Sequence, residues 1–216
     1  MLNMDFGKRV VLDTQQLEWV ASPRAGVWRK PLAREEAEQG HATSIVKYEP
    51  NSSFSAHDHP KGEEILVLKG VFSDETGDYH AGSYFRNPEG FRHAPFSKEG
   101  CILLVKLHQF QKNDDKKVCI DTHYADWLPG KGKQRVLPLH QHQAESVALI
   151  LLPAGEHLTT QSHNGGGEIY VISGELIDDL GRYPAGSWIR NPDMSHHNPH
   201  VERETLIYVK TGHLHI

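Results

Sequence analysis

"HPKGEEILVLKG", residues 59–70, and "HNGGGEIYVISG", residues 163–174, are one segment written twice. Each runs from a histidine through a glycine-bearing turn into a short apolar run and stops at a glycine. The same spacing aligns "DYHAGSYFRNPEGFRH" (78–93) with "GRYPAGSWIRNPDMSHH" (181–197), allowing one leading residue, and "ILLVK" (102–106) with "LIYVK" (206–210). Upstream, "KRVVLDTQQLEW" (8–19) matches "KKVCIDTHYADW" (116–127), so the second copy has a shorter connection before its motif. Self-similarity at a fixed period means one architecture repeated. The copies meet near the polar stretch "QKNDDKK" (111–117), which predicts two domains, 1–113 and 114–216.

Each copy reads as β. The apolar runs are short: "TSIVKY", "EEILVLKG", "GSYF" and "CILLVKL" in the first, "SVALILL", "GEIYVISG", "GSWI" and "LIYVK" in the second. They are rich in Val, Ile, Leu and aromatic residues and are bounded by Gly, Pro, Asn and Asp. Such runs predict an all-β sandwich or barrel per copy. "LAREEAEQG" (32–40) has helical composition but no apolar face, and is expected to be a surface turn. A chain of 216 residues with 38% hydrophobic and 24% charged residues can build a sizeable core. A net charge of -5 supplies no basic field for nucleic acid. No apolar run approaches the ~18 residues of a membrane span, and the start lacks the apolar core of a signal peptide. Two cysteines without CxxC spacing argue against a disulfide framework, so a cytoplasmic location is expected.

The first copy resembles the cupin family, whose signature is G-x5-H-x-H-x3-E-x6-G followed by G-x5-P-x-G-x2-H. His57, His59, Glu63 and Gly70 stand at the first spacing, with Asn51 in place of the leading glycine. Gly82, Pro88, Gly90 and His93 meet the second in full. More narrowly, "GEEILVLKGVFSDETGDYHAGSYFRNPEG" resembles the cupin domain of the ChrR anti-sigma factors. The resemblance implies a tandem double cupin, a bicupin of two jelly-roll-like β-barrels, with His57, His59, Glu63 and His93 as ligands of one divalent metal. Zinc comes first, with iron(II), nickel and manganese as alternatives.

Residue chemistry agrees with that set. Residues two apart on a strand face one side, so His57 and His59 can both point into a barrel. "PKG" (60–62) is a turn that brings Glu63 to the start of the next strand. Three imidazoles and a carboxylate suit a first-row divalent ion. Glu64 competes with Glu63, but the signature spacing selects Glu63, and alternation turns Glu64 to the opposite face. The second copy keeps Glu168, the counterpart of Glu64, and has Gly167 where Glu63 stands.

The two copies act as a control on each other. Both keep Gly70/Gly174, Gly82/Gly186, Arg86-Asn87-Pro88/Arg190-Asn191-Pro192 and Trp19/Trp127, which are expected to shape the barrel, the tryptophans by core burial. Arg86 is tempting as a substrate anchor, but its twin Arg190 favours a structural role. The ligand positions differ: His57, His59, Glu63 and His93 align with Gln161, His163, Gly167 and His197. Two histidines without a carboxylate rarely hold a metal, so the second barrel is expected to be metal-free. "HQH" (140–142) and "HLH" (213–215) lack a following glutamate at ligand spacing and are not expected to be sites. Cys101, inside an apolar strand, reads as core.

The ChrR resemblance implies a regulatory or sensor-type protein. ChrR-type factors grip sigma through a separate helical zinc domain with a His-x3-Cys-x2-Cys pattern. This chain carries no such pattern, so a sigma factor is a partner by resemblance only. The alternative is a non-haem iron(II) dioxygenase cleaving a small diketone or hydroxyacetophenone-like substrate, as in enzymes similar to ChrR-like cupins. Such chemistry needs open metal positions. A small-molecule ligand would then sit in the N-terminal barrel, with Phe54, Tyr84, Phe85 and Phe91 as candidate lining. A closed four-ligand zinc site would be structural instead. Homo-oligomers are compatible with the sequence.

Overall fold

The computed structural model describes residues 1–36, 39–158 and 164–214. It is all-β, with no helix among the described residues. The chain divides into two compact units. In the first, the main sheet runs in the order Val118–Asp121, Ser83–Asn87, Glu63–Asp74, Cys101–Leu107, Ala42–Tyr48, Val27–Arg34, Val20–Ala21. In the second, the order is Val10–Asp13, Ser187–Asn191, Gly167–Ser173, Thr205–Thr211, Glu145–Leu152, Arg135–His142, Leu128–Pro129. Every position matches its repeat partner, so two copies of the sequence pattern yield one topology twice. Smaller pairings, including Val71–Asp74 with Gly77–His80 and Glu175–Asp178 with Gly181–Pro184, form the second layer of each jelly roll.

The edge strands do not follow the linear repeat. Val10–Asp13, from the first copy, pairs with Ser187–Asn191, and Val118–Asp121, from the second, pairs with Ser83–Asn87. The compact units are accordingly 1–4 with 17–125, and 5–16 with 126–216. A boundary at residue 113 marks where the repeat restarts, but lies ahead of the strand that completes the first sheet. Sequence similarity reports a strand's pattern, not which neighbour it hydrogen-bonds.

Each unit buries alternate strand residues between its layers. Val27, Tyr48, Ile65, Val67, Phe72, Phe85, Cys101, Leu103 and Val105 form the first core, and Leu152, Val171, Leu176, Tyr183, Ile189, Val201 and Ile207 the second. Cys101 is core, as its strand implies. Trp19 and Trp127 are only half-buried. Instead of filling the core they are platforms for cations: Lys30 and Lys47 lie over Trp19, and Arg135 over Trp127.

Two backbone positions explain the signature glycines. Gly70 has φ +75, and a Cβ there would meet the Gly100 carbonyl oxygen at 2.1 Å. Only glycine fits both the left-handed backbone and the close approach. Asn51, the departure from the signature, has φ +62. Asparagine tolerates the left-handed region better than other non-glycine residues, so the substitution keeps the conformation the glycine would supply.

Candidate metal centre

Two short pieces of chain deliver the histidines. His57 lies in the strand His57–Asp58, which pairs antiparallel with Arg92–His93, so His57 and His93 are directly opposed. His59 follows at the same side. The chain then reverses through a turn in which the Gly62 N–H donates to the His59 carbonyl (3.0 Å), with Lys61 and Gly62 both at positive φ. Glu63 opens the long strand Glu63–Asp74. The ring centres of His57, His59 and His93 lie 4.6, 4.9 and 5.5 Å apart pairwise. Each ring offers a ligand nitrogen within 4.8 Å of the others. Glu63 Oε2 stands 3.6 Å from His59 Nε2 and 3.5 Å from His93 Nε2, held by a 3.3 Å hydrogen bond from Asn87 Nδ2. The three histidines picked from sequence therefore converge, and Glu63 stands beside two of them.

The outer nitrogens fix which edge of two rings faces inward. His57 Nδ1 donates to the Ser55 carbonyl (2.9 Å), and His93 Nδ1 donates to Asp74 Oδ2 (3.1 Å). With hydrogens on Nδ1, the Nε2 lone pairs are left for the centre. His59 Nε2 and His93 Nε2 are 2.8 Å apart. Burial, followed by the neighbouring His57 and His93, pushes the His59 imidazole down to about 3. That keeps it neutral, the form that ligates metal. For His93, burial opposes the charged form, but its hydrogen bond to Asp74 and the Glu63 and Asp74 carboxylates outweigh it and raise its value. Burial raises Glu63, against the pull of His93 and Asn87. Three convergent imidazoles, one kept neutral, with a carboxylate that a positive charge would relieve of its burial penalty, fit a divalent ion.

The site adjoins a cavity of about 840 Å³. His57, His59 and Glu63 line it together with Val46, Tyr48, Phe54, Phe72, Leu103 and Val105. Of the four aromatic candidates, Phe54 lines the cavity. Phe85 instead stacks on Phe72 in the core (5.5 Å), Tyr84 is fully buried elsewhere, and Phe91 packs edge-on to His93 (5.4 Å). Tyr48 and Phe72 went unnoticed in the sequence. Both sit at strand positions whose alternation carries them inward, a signal available once the register was known.

Glu64 faces the other way, as alternation predicts. It lies 3.8 Å from Arg86 Nε, and Arg86 Nη1 pairs with Asp114 at 2.8 Å while its guanidinium stacks on Phe110. Arg86 has no exposed surface. It is a buried structural cation rather than a substrate anchor. Arg190 is likewise buried, beside Phe6 and Trp188.

The second unit has a different centre. Gly167 leaves no carboxylate at the position of Glu63, and a cavity of about 220 Å³ there is lined by Ile150, Leu158, Glu168, Ile169, Val209 and His197. His197 Nδ1 is 3.8 Å from Asp178 Oδ2, and burial lowers the basicity of its ring. Gln161, His163 and His215 lie outside the described residues.

The family model for the ChrR cupin-like domain matches the chain twice, over residues 7–111 and 115–215. Among curated proteins no sequence matches. Solved structures similar to the chain include a presumed dioxygenase from Nostoc punctiforme, 16% identical, covering 95% of this chain and 82% of that one, with a TM-score of 0.79. They also include the pirin YhhW of Escherichia coli in complex with nickel(II), 12% identical, covering 94% and 98%, at 0.72. The oxalate decarboxylase of Bacillus subtilis is 12% identical, with 94% and 76% covered, at 0.65. At these identities the likeness is one of fold.

Proposed function

The chain belongs to the ChrR cupin-like domain family, in tandem, and from that premise we propose that it is a sensor-type bicupin which binds one divalent metal in its N-terminal barrel and takes a small, largely apolar molecule beside it. The observation that carries this reading is the convergence of three imidazoles, two of which line a cavity of about 840 Å³ together with Glu63. A purely structural zinc site has no use for such space, since it closes on four protein ligands. His57, His59 and His93 would hold the metal, and Glu63 would complete the set or hold a proton at its Oε2. The bound ion supplies a Lewis acid with a position for ligand. The protein's own part is to present neutral nitrogens, to exclude water through Tyr48, Phe54 and Phe72, and to orient an apolar guest by shape. The nickel(II) of the pirin and the manganese(II) centres of the oxalate decarboxylase support a first-row divalent ion without choosing one.

The second reading is an iron(II) dioxygenase acting on a small diketone or hydroxyacetophenone-like substrate. The apolar lining of the cavity favours it, because such substrates need a dry pocket next to the ion. Metal analysis of the protein purified without supplement, followed by dioxygen uptake with iron(II) and acetylacetone, separates the two. Stoichiometric metal with no uptake is expected of the sensor. Uptake that His59→Ala abolishes would establish the enzyme. Absence of bound metal under both conditions would refute both.

A further inference from the structure

We propose that Asp74 is the positioning residue of the metal centre: it holds His93 Nδ1 and so aims His93 Nε2 at the other two imidazoles. This rests on the metal-binding reading above and adds a residue that lies outside the family signature.

Asp74 ends the strand Glu63–Asp74 at the tip of a hairpin, opposite Gly77. It is 6% exposed. Its two oxygens do separate work. Oδ1 accepts from the Thr76 N–H (2.7 Å) and from the Thr76 hydroxyl (2.6 Å). Oδ2 is thereby turned toward His93 Nδ1, 3.1 Å away. Glu75, between them, accepts from the Ala94 N–H (3.0 Å), which ties the hairpin tip to the residue after His93. The carboxylate is thus fixed on one side by its own turn and on the other by the histidine it holds. A ligand imidazole whose outer N–H is held by a carboxylate has its tautomer and ring plane set, which is why such partners matter to metal affinity.

The second unit shows what happens when the partner is taken away. Asp178 occupies the place of Asp74, and His197 that of His93. There Asp178 Oδ2 pairs with Arg9 Nη2 at 2.8 Å, and its Oδ1 accepts from the Tyr183 hydroxyl at 2.6 Å. His197 Nδ1 is left at 3.8 Å, beyond a hydrogen bond, and its Nε2 is buried with no partner among the described residues. In the first unit the counterpart of Arg9 is Lys117, whose ammonium lies over the Phe91 ring instead. Among the described residues Asp74 therefore has no competing cation beside the three convergent imidazoles, whereas Asp178 is captured by Arg9.

The test uses the full chain with cobalt(II) as probe. Affinity is read by competition with a chelator, site geometry by the visible cobalt absorption, and fold by thermal unfolding of the metal-free protein. Asp74→Ala is expected to weaken cobalt binding about 10–100-fold and to change the cobalt bands, with the metal-free protein still unfolding in one cooperative transition. Asp74→Asn, which still offers an oxygen to Nδ1–H, is expected to fall between it and the parent. Thr76→Val, which leaves the carboxylate in place, is expected to give a smaller loss of the same kind. Parent affinity and parent cobalt bands in Asp74→Ala would overturn the proposal. So would a loss that appears only together with collapse of metal-free unfolding and has no counterpart in Asp74→Asn or Thr76→Val. If the unaltered chain binds no cobalt, the metal reading itself fails, a result distinct from parent-like binding by the Asp74 variants.

Discussion

Asn51 shows how one side chain can stand in for another when the backbone is what matters. Its φ of +62 is the conformation a glycine would hold at the head of the signature. Asn51→Gly is expected to leave stability nearly unchanged, and Asn51→Val to cost about 1–3 kcal/mol, because a β-branched residue is strained there. Chemical denaturation of the two variants measures the difference, and equal midpoints would contradict the argument. The histidines give a second expectation, in pH. His59 has an ordinary value of 6.5 and a folded value of about 3, with burial as the main cause. The unfolded chain therefore takes the proton first, so the stability tied to His59 is whole above 6.5 and is lost as pH falls from there toward 3. His93 is shifted the other way, upward, so its contribution is whole below 6.5 and is lost as pH rises through its folded value. In the presence of chelator the unfolding temperature should thus fall on both sides of pH 6.5. His59→Gln should flatten the acid side, and His93→Gln the alkaline side. An acid limb unchanged in His59→Gln would mean that this ring is not held neutral.

At the scale of elements, the exchanged edge strands matter most. Val118–Asp121 contributes the last strand of the first sheet, and the segment leading to it carries Asp114, which pairs with the buried Arg86. A fragment of residues 17–125 keeps both, whereas 17–113 loses both. Taking one partner from a buried ion pair costs about 3–5 kcal/mol, and the bared edge Ser83–Asn87 invites association. The shorter fragment is expected to unfold at clearly lower urea and to aggregate. Equal urea midpoints would show that the edge strand is dispensable. These strands also mark where sequence reading stops. His57, His59, Glu63 and His93 were legible because their spacing lies within two local segments and alternation assigns their faces. Asp74 was not, because its role depends on a hairpin folding over a histidine that comes from another strand. The lining residues Tyr48 and Phe72 required the register. Trp19 and Trp127 were misread because a large aromatic residue shared by both copies looks like core until the lysines and arginine above it are placed.

For the whole molecule, duplication separates what the barrel needs from what the metal needs. Both units share strand order, the buried arginine and the glycine at the signature bend, so each fold is held by packing that does not depend on an ion. They differ at the centre, where Glu63 and the Asp74–His93 hydrogen bond face Gly167 and the Asp178–Arg9 ion pair. The second cavity, about 220 Å³ and largely apolar, is closer to a packing remnant or a small-guest pocket than to a coordination site. One metal per chain is therefore expected, not two. His93→Ala should reduce bound metal to background, while His197→Ala should leave it at the parent level, both read by elemental analysis of purified protein. The two variants alter equivalent positions in equivalent folds, so a general effect of losing a barrel histidine would lower both. Equal loss in His197→Ala would mean that the second unit binds after all and that its missing carboxylate has been replaced by another donor.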